Sequence, residues 1–291
     1  MSVEERDEHT GHLTTGHEWN GIKELNTPVA RIVWTSYIVA FLIAAPMLVL
    51  WPAFPLGTTF TPGLLGVDQR KTLDRELSAA RLKRQPWQEQ IQNSSVTQLN
   101  GDAQLMTVVR QAGRTLFMDN CAVCHGTDAK GRNGYPNLTD KAWLWGKTPE
   151  AIMETLRVGI NSANDDSRAS EMPAFGRDEL LEPAQVAPMV AYVQRLSAGT
   201  TSEASEEEKT VFADNCASCH GPNGKGDKNF GAPNLTDANW IYGKDKKTLH
   251  QTIWNGRKGH MPHWEGRLSK LDRKILMVYL LDLPKTPMRR P

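Results

Sequence analysis

The sequence predicts a mainly α-helical chain in which one N-terminal membrane-spanning helix is followed by two tandem copies of one small domain. Three observations predict it. Residues 32–51 run IVWTSYIVAFLIAAPMLVLW, twenty positions without a charge, and at ~1.5 Å per residue such a helix matches a hydrocarbon core of ~30 Å. The pentapeptide CAVCH at 121–125 returns as CASCH at 216–220, and together they use all four cysteines of the chain. No stretch holds a sustained period-2 alternation, so strands are expected to be few.

Composition excludes several classes of protein. Thirty-four Lys and Arg against thirty-three Asp and Glu give a net charge of +1. There is no basic field of the kind that binds nucleic acid and no acidic excess of the kind that keeps a chain disordered. The hydrophobic share of 39% rises to about 47% with the 23 glycines, which suits a folded protein. A length of 291 residues suggests about two domains.

In chain order, residues 1–31 are polar, mildly acidic and without apolar period, and read as a loose tail. The span at 32–51 carries Trp34 and Trp51 near its ends, where an interfacial belt places them, and Pro46, which a span tolerates. A cleaved signal peptide is the competing reading. Its apolar part would be too long, its leading segment is long and acid-leaning, and no A-x-A site follows, so an uncleaved anchor is expected. Residues 52–101 form a linker and spacer. They hold a Pro/Gly-rich loop to 66 and a charge-dense helical stretch, 68–92, with Leu73, Leu77 and Leu82 near one face; the latter reads as a solvated spacer or as a docking helix.

An internal repeat organises the remainder, with domains expected at 102–198 and 206–285 and a Ser/Thr/Glu linker at 199–205. Asn120-Cys121 aligns with Asn215-Cys216, and PNLTD at 136–140 recurs at 233–237. Trp143 answers Trp240, and Met172-Pro173 answers Met261-Pro262 after eight extra residues in the first copy. Each copy closes on an apolar-periodic segment.

C-x-x-C-H is the attachment signature of c-type haem. Cysteines at i and i+3 share one face of a helical turn, so both sulfurs can form thioethers with one porphyrin while the following histidine reaches the iron. Cys121 and Cys124 with His125, and Cys216 and Cys219 with His220, are therefore the expected attachment sites of two haems. Zinc would need further spaced ligands, and no cysteine remains to supply them. Met172 and Met261, 47 and 41 residues after their histidines, are the candidate sixth ligands; thioether ligation raises the reduction potential. Met106, Met118, Met153, Met189 and Met277 lie in helical patterns and read as core. His260 and His263 flank Met261 without counterparts in the first copy and read as surface. Trp143, Trp145, Trp240 and Trp264 are expected to pack against a porphyrin or close a core. Pairing within each repeat joins His125 to Met172 and His220 to Met261. Two duplicated domains on a short linker can also lie face to face, and the pairing is then exchanged. Two six-coordinate irons leave no position for peroxide or oxygen chemistry, which argues against a diheme peroxidase and for an electron carrier.

The single anchor, the two haem motifs, GYPNLTD at 134–140 with WLWG at 143–146, and GINS at 159–162 leading to MPAFG at 172–176 together resemble the diheme cytochrome c subunit (subunit III) of cbb3-type cytochrome c oxidases. The resemblance runs from about residue 20 to 285. It implies two tandem cytochrome c domains held in the periplasm by a single-pass anchor in a bacterial inner membrane, with residues 1–31 cytoplasmic. It implies a donor, either periplasmic cytochrome c or the quinol-oxidising complex. It also implies partners, a haem–copper catalytic subunit and a monohaem cytochrome c subunit, and no catalysis by the chain itself. A membrane-anchored diheme carrier serving another periplasmic redox enzyme is the alternative. One departure concerns the helix before each haem: Gly113 stands four residues ahead of Phe117, but Glu208 stands ahead of Phe212.

Overall fold

A computed structural model describes residues 5–283, which fall into two compact units divided between Lys83 and Arg84. In the first unit, the segment expected as a loose tail holds an antiparallel hairpin, β1 (Thr14–Trp19) and β2 (Ile22–Leu25). Asn20 and Gly21 turn it with φ of 53° and 85°, the two positive values that a tight hairpin of matching twist needs and that Asn-Gly supplies. Glu18 lies opposite Lys23. Nearly every hairpin residue is exposed, so no buried face imprinted an apolar alternation on the sequence.

The anchor is α1 (Arg31–Leu50), one residue earlier than expected, and none of its residues is buried. It is long and apolar enough to cross a membrane. Inside it, Thr35 Oγ1 donates to the Arg31 carbonyl at 2.9 Å, which satisfies a hydroxyl where lipid offers no partner. The Pro/Gly-rich loop bends back so that the Leu64 and Leu65 amides donate to the carbonyls of Val49 and Leu50 at 3.0 and 3.1 Å, acceptors that a helix end leaves open. Next, α2 (Gln69–Asn93) starts where Asp68 Oδ1 accepts from the Arg70 and Lys71 amides at 3.0 and 3.1 Å. Leu73, Leu77 and Leu82 are exposed.

The second unit takes up the end of α2 and continues through α3 (Val96–Gly101), α4 (Ala103–Asn120), α5 (Ala122–His125), α6 (Pro149–Val158) and α7 (Pro183–Ala198). A 3-10 turn at Thr201–Glu203 leads into α8 (Glu206–Asn215), α9 (Ala217–His220), α10 (Lys246–Asn255) and α11 (Lys270–Asp282). Caps mark the starts: Ser95, Asp102, Thr148, Ser205, Asp245 and Ser269 each accept from the backbone of the first turn. The expected spacer ends early. Ile91 and Leu99 are fully buried in this unit, and Lys274 Nζ donates to the carbonyls of Gln92 and Ser94 at 2.9 and 2.6 Å, a cation on the carbonyl end of α2.

The packing crosses between the two expected domains, 102–198 and 206–285. One core joins Met106, Val109 and Phe117 of α4 and Ile152 and Leu156 of α6 to Ile275, Leu276 and Leu280 of α11. The other joins Val186, Met189 and Val193 of α7 to Phe212 of α8 and Leu249 and Ile253 of α10. The closing helix of each repeat thus completes the core of the other. Connectivity explains the choice. The seven-residue link between α7 and α8 keeps those helices neighbours, because short connections leave consecutive elements in contact; α11 is then left to close on α4.

The two helix crossings are equivalent. On α4, Gly113 lets Tyr279 approach so closely that an added Cβ would lie 2.6 Å from its Cβ; the Phe117 and Tyr279 rings stand 6.1 Å apart. At the α8 crossing, Phe212 and Tyr192 stand 5.1 Å apart. Glu208, the departure noted above, accepts from Arg195 of α7 at 2.8 Å, an ion pair that answers Arg110 with Asp282 at 2.8 Å. The Arg195 guanidinium holds the Glu208 carboxyl below its ordinary range. Of the methionines read as core, Met106, Met189 and Met277 are buried, Met153 is partly so and Met118 is exposed.

Candidate haem site

Each C-x-x-C-H segment is a single helical turn set off from the helix before it. Cys121 and Cys216 both cap with φ −116° and ψ −32°. The His125 and His220 amides each donate to the carbonyl of the first cysteine at 2.9 Å, so both sulfurs and the imidazole of a site stand on one turn. The PNLTD loops explain the histidines. Asn137 Oδ1 accepts from the Thr139 amide and hydroxyl at 2.8 and 2.7 Å, and Asn234 does the same for Thr236. These side-chain turns present the proline carbonyls to the imidazoles: His125 Nδ1 meets Pro136 O at 3.1 Å, and His220 Nδ1 meets Pro233 O at 3.0 Å. With Nδ1–H donating there, Nε2 is the nitrogen left to ligate a metal. Burial pushes both imidazoles toward the neutral, ligating form and raises the Cys121 and Cys216 thiols to about 11. Trp143 Nε1 and Trp240 Nε1 pin the same loops by donating to Asp140 O and Asp237 O, each at 3.1 Å.

The methionines arrive crosswise. Met261 packs with Cys121, Leu138 and Trp143 against the core that holds α4. Met172 packs with Cys216, Ala217 and Trp240 against the core that holds α8. Each is pinned by a two-bond bridge: Ile160 and Met261 exchange hydrogen bonds at 2.9 Å both ways, and Met172 and Arg257 exchange theirs at 2.8 and 3.0 Å. Gly159 and Gly256 follow α6 and α10 with φ of 71° and 68°, and a methyl group on either would overlap the carbonyl of the methionine it faces. Gly256→Ala is therefore expected to cost about 2 kcal/mol or more in chemical denaturation, through backbone strain and overpacking together. This crossing differs from within-repeat pairing, the simpler expectation, which would set Met172 beside Cys121 and Met261 beside Cys216. His260 is exposed and turns its Nδ1 to Asn161 O at 2.9 Å.

A largely apolar cavity of about 520 Å³ is lined by all four cysteines, both histidines and both methionines. Two soft sulfur donors, two imidazoles with Nε2 available and an apolar lining fit covalently held c-type haem. Sequence reasoning missed a further lining residue here, Arg257, which stands over the Tyr242 ring and four positions before the second Met-Pro pair.

Known proteins resemble the chain along nearly its whole length. The family described as cytochrome c matches residues 111–197, that described as cytochrome c oxidase, cbb3-type, subunit III matches 203–280, and the N-terminal domain of cytochrome oxidase-cbb3, FixP, matches 11–58. The chain is 41% identical over 281 residues to the cbb3-type cytochrome c oxidase subunit FixP of Bradyrhizobium sp. (strain ORS 278), covering 96% of this chain and 97% of the relative. It is 41% identical over 287 residues to the subunit CcoP of Cereibacter sphaeroides, covering 97% and 99%. To CcoP of Azospirillum brasilense it is 40% identical over 293 residues, again covering 97% and 99%. With cytochrome c segments in both repeats and relatives of matching length throughout, the chain belongs to the FixP/CcoP family of cbb3-type cytochrome c oxidase subunits, cytochrome c subunits that transfer electrons and are not themselves catalytic.

Proposed function

We propose that the chain holds two c-type haems and passes electrons from a periplasmic cytochrome c or the quinol-oxidising complex to the oxygen-reducing haem–copper subunit of its oxidase. The monohaem cytochrome c subunit is a second partner. α1 anchors it in a bacterial inner membrane, with the residues after the anchor in the periplasm, where covalent haem c is assembled. Cys121 and Cys124 would hold the first haem together with His125 and Met261, and Cys216 and Cys219 would hold the second together with His220 and Met172. When bound, such a group supplies a one-electron iron couple, and Met/His ligation places its potential toward the oxidising end.

The observation that carries this reading is the repeated placement of cysteines, histidine and exchanged methionine around one apolar cavity. The proline carbonyls orient the imidazoles, the methionine bridges hold the sulfurs, and the apolar lining keeps water from the metal. Two histidine and methionine pairs that would hold both irons fit an electron carrier.

The test is made on the assembled oxidase. Two haems per chain are expected in a pyridine haemochrome assay. His125→Ala or His220→Ala is expected to reduce cytochrome c-driven oxygen uptake to near background while the haem b signals of the catalytic subunit persist. Uptake at the unmodified rate from an assembled complex whose chain has lost both haems would overturn the reading.

A further inference from the structure

The uncharged stretch that holds α1 does not end with it. Residues 32–67 contain no Asp, Glu, Lys, Arg or His, whereas a helix needs only about 20 residues to cross a hydrocarbon core, and α1 closes at Leu50. The loop at 52–66 is surplus to the span. It is nonetheless strongly apolar: Phe54, Leu56, Phe60, Leu64 and Leu65 are all exposed, Leu64 by 78%. Large apolar side chains gathered in one short exposed loop mark a contact with protein or with membrane.

Position, backbone and charge all favour membrane. The Leu64 and Leu65 amides donate to Val49 O and Leu50 O at 3.0 and 3.1 Å. Gly63, at φ 68°, passes so close to the Leu50 carbonyl that an added methyl group would overlap it. The loop is thus fastened to the last turn of α1, at the level where a spanning helix leaves the hydrocarbon and where Trp51 suits the interface. Its polar backbone groups are largely turned on one another. Thr61 Oγ1 accepts from the Ala53 and Phe54 amides at 3.3 and 3.1 Å. The Thr61 amide donates to Phe54 O at 2.9 Å and the Leu56 amide to Thr59 O at 2.6 Å, while Pro52, Pro55 and Pro62 have no N–H to satisfy. Such a loop asks little of water, as a segment beside lipid must. Nor does it carry a charge that would have to leave water or that a complementary protein surface could pair with.

We propose that residues 52–66 form an interfacial foot, lying at the boundary of headgroups and acyl chains in the leaflet where α1 ends, with Phe54, Leu56, Phe60, Leu64 and Leu65 against phospholipid tails. The proposal rests on the reading of α1 as an anchor. Lipid then holds the chain at two places joined by hydrogen bonds, the span and the foot. The carbonyl end of α1 is fixed at the surface, and α2, which begins at Gln69, leaves from a set depth.

The experiment places the photo-crosslinking residue p-benzoyl-phenylalanine in the full chain instead of Phe60, instead of Leu64 or, as a reference in the middle of α1, instead of Leu42. Each chain is irradiated alone in phosphatidylcholine vesicles and within its oxidase complex in native membranes, and its mass is then measured. The probes at Phe60 and Leu64 are expected to add the mass of a phosphatidylcholine in the vesicles, at a yield comparable to that of the Leu42 probe, and the mass of a phospholipid in the complex. If they add nothing in vesicles while the Leu42 probe takes up lipid, the loop stands in water and the foot is overturned. Crosslinks to another subunit of the oxidase in place of the lipid adduct would also overturn it, because protein would then be the occupant. A Leu42 probe that takes up no lipid in vesicles removes the anchor itself, which separates the two failures.

Discussion

Residues 171–258 expressed alone are expected to fold, whereas residues 102–198, which form a complete sequence repeat, are not. The first fragment contains every residue of the second core, from Met172 and Leu181 to Ile253 and Trp254, in one continuous stretch. The second lacks α11, and with it Ile275, Leu276, Met277, Val278 and Leu280, all at most 6% exposed. Burial of side chains of that size contributes about 1.5–3 kcal/mol each. Losing five exceeds most of the ~5–15 kcal/mol by which a domain is stable. Cooperative thermal unfolding by circular dichroism checks both fragments. A sharp transition from residues 102–198 alone would contradict the exchanged cores.

Deleting residues 1–66 and supplying a cleavable signal is expected to move the chain entirely from the membrane fraction to the soluble one. The deleted stretch holds α1 and the loop that returns to its carbonyl end. The second unit begins at Arg84, so its cores are left whole. Ultracentrifugation after carbonate extraction reads the result. A truncated chain still integral to the membrane would mean that another segment inserts.

Much of the site was legible because its chemistry is local. The cysteine spacing fixes two sulfurs and an imidazole on one turn, and the PNLTD loops recur with the same side-chain turns, so position in the sequence stands for position in space. The crossing of Met172 and Met261 was legible only as one of two options. Duplicated helices such as α7 and α11 present equivalent apolar faces, and either fits either core; the short link from α7 to α8 selects between them. The end of the expected spacer packs into the second unit through Ile91, at the close of the charge-dense stretch, and Leu99, in the uncharged polar stretch after it, two single apolar residues that carry little pattern. The hairpin at 14–25 went unread although Asn20-Gly21 marked it, since nearly all of it is exposed and no buried face sets an apolar alternation. Glu208 read as a departure from the first copy; its partner Arg195, which the sequence does not point to, lies on another helix.

Exchanged ligation is tested most directly in a chain that retains one attachment site. In a Cys121→Ser, Cys124→Ser background, only the haem at Cys216 and Cys219 is attached, and its potential and near-infrared methionine-ligation band are measured after Met172→His and, separately, after Met261→His. The exchanged arrangement predicts that Met172→His abolishes the band and lowers the potential, while Met261→His leaves both unchanged. The opposite pattern, with Met261→His alone abolishing the band, would contradict it.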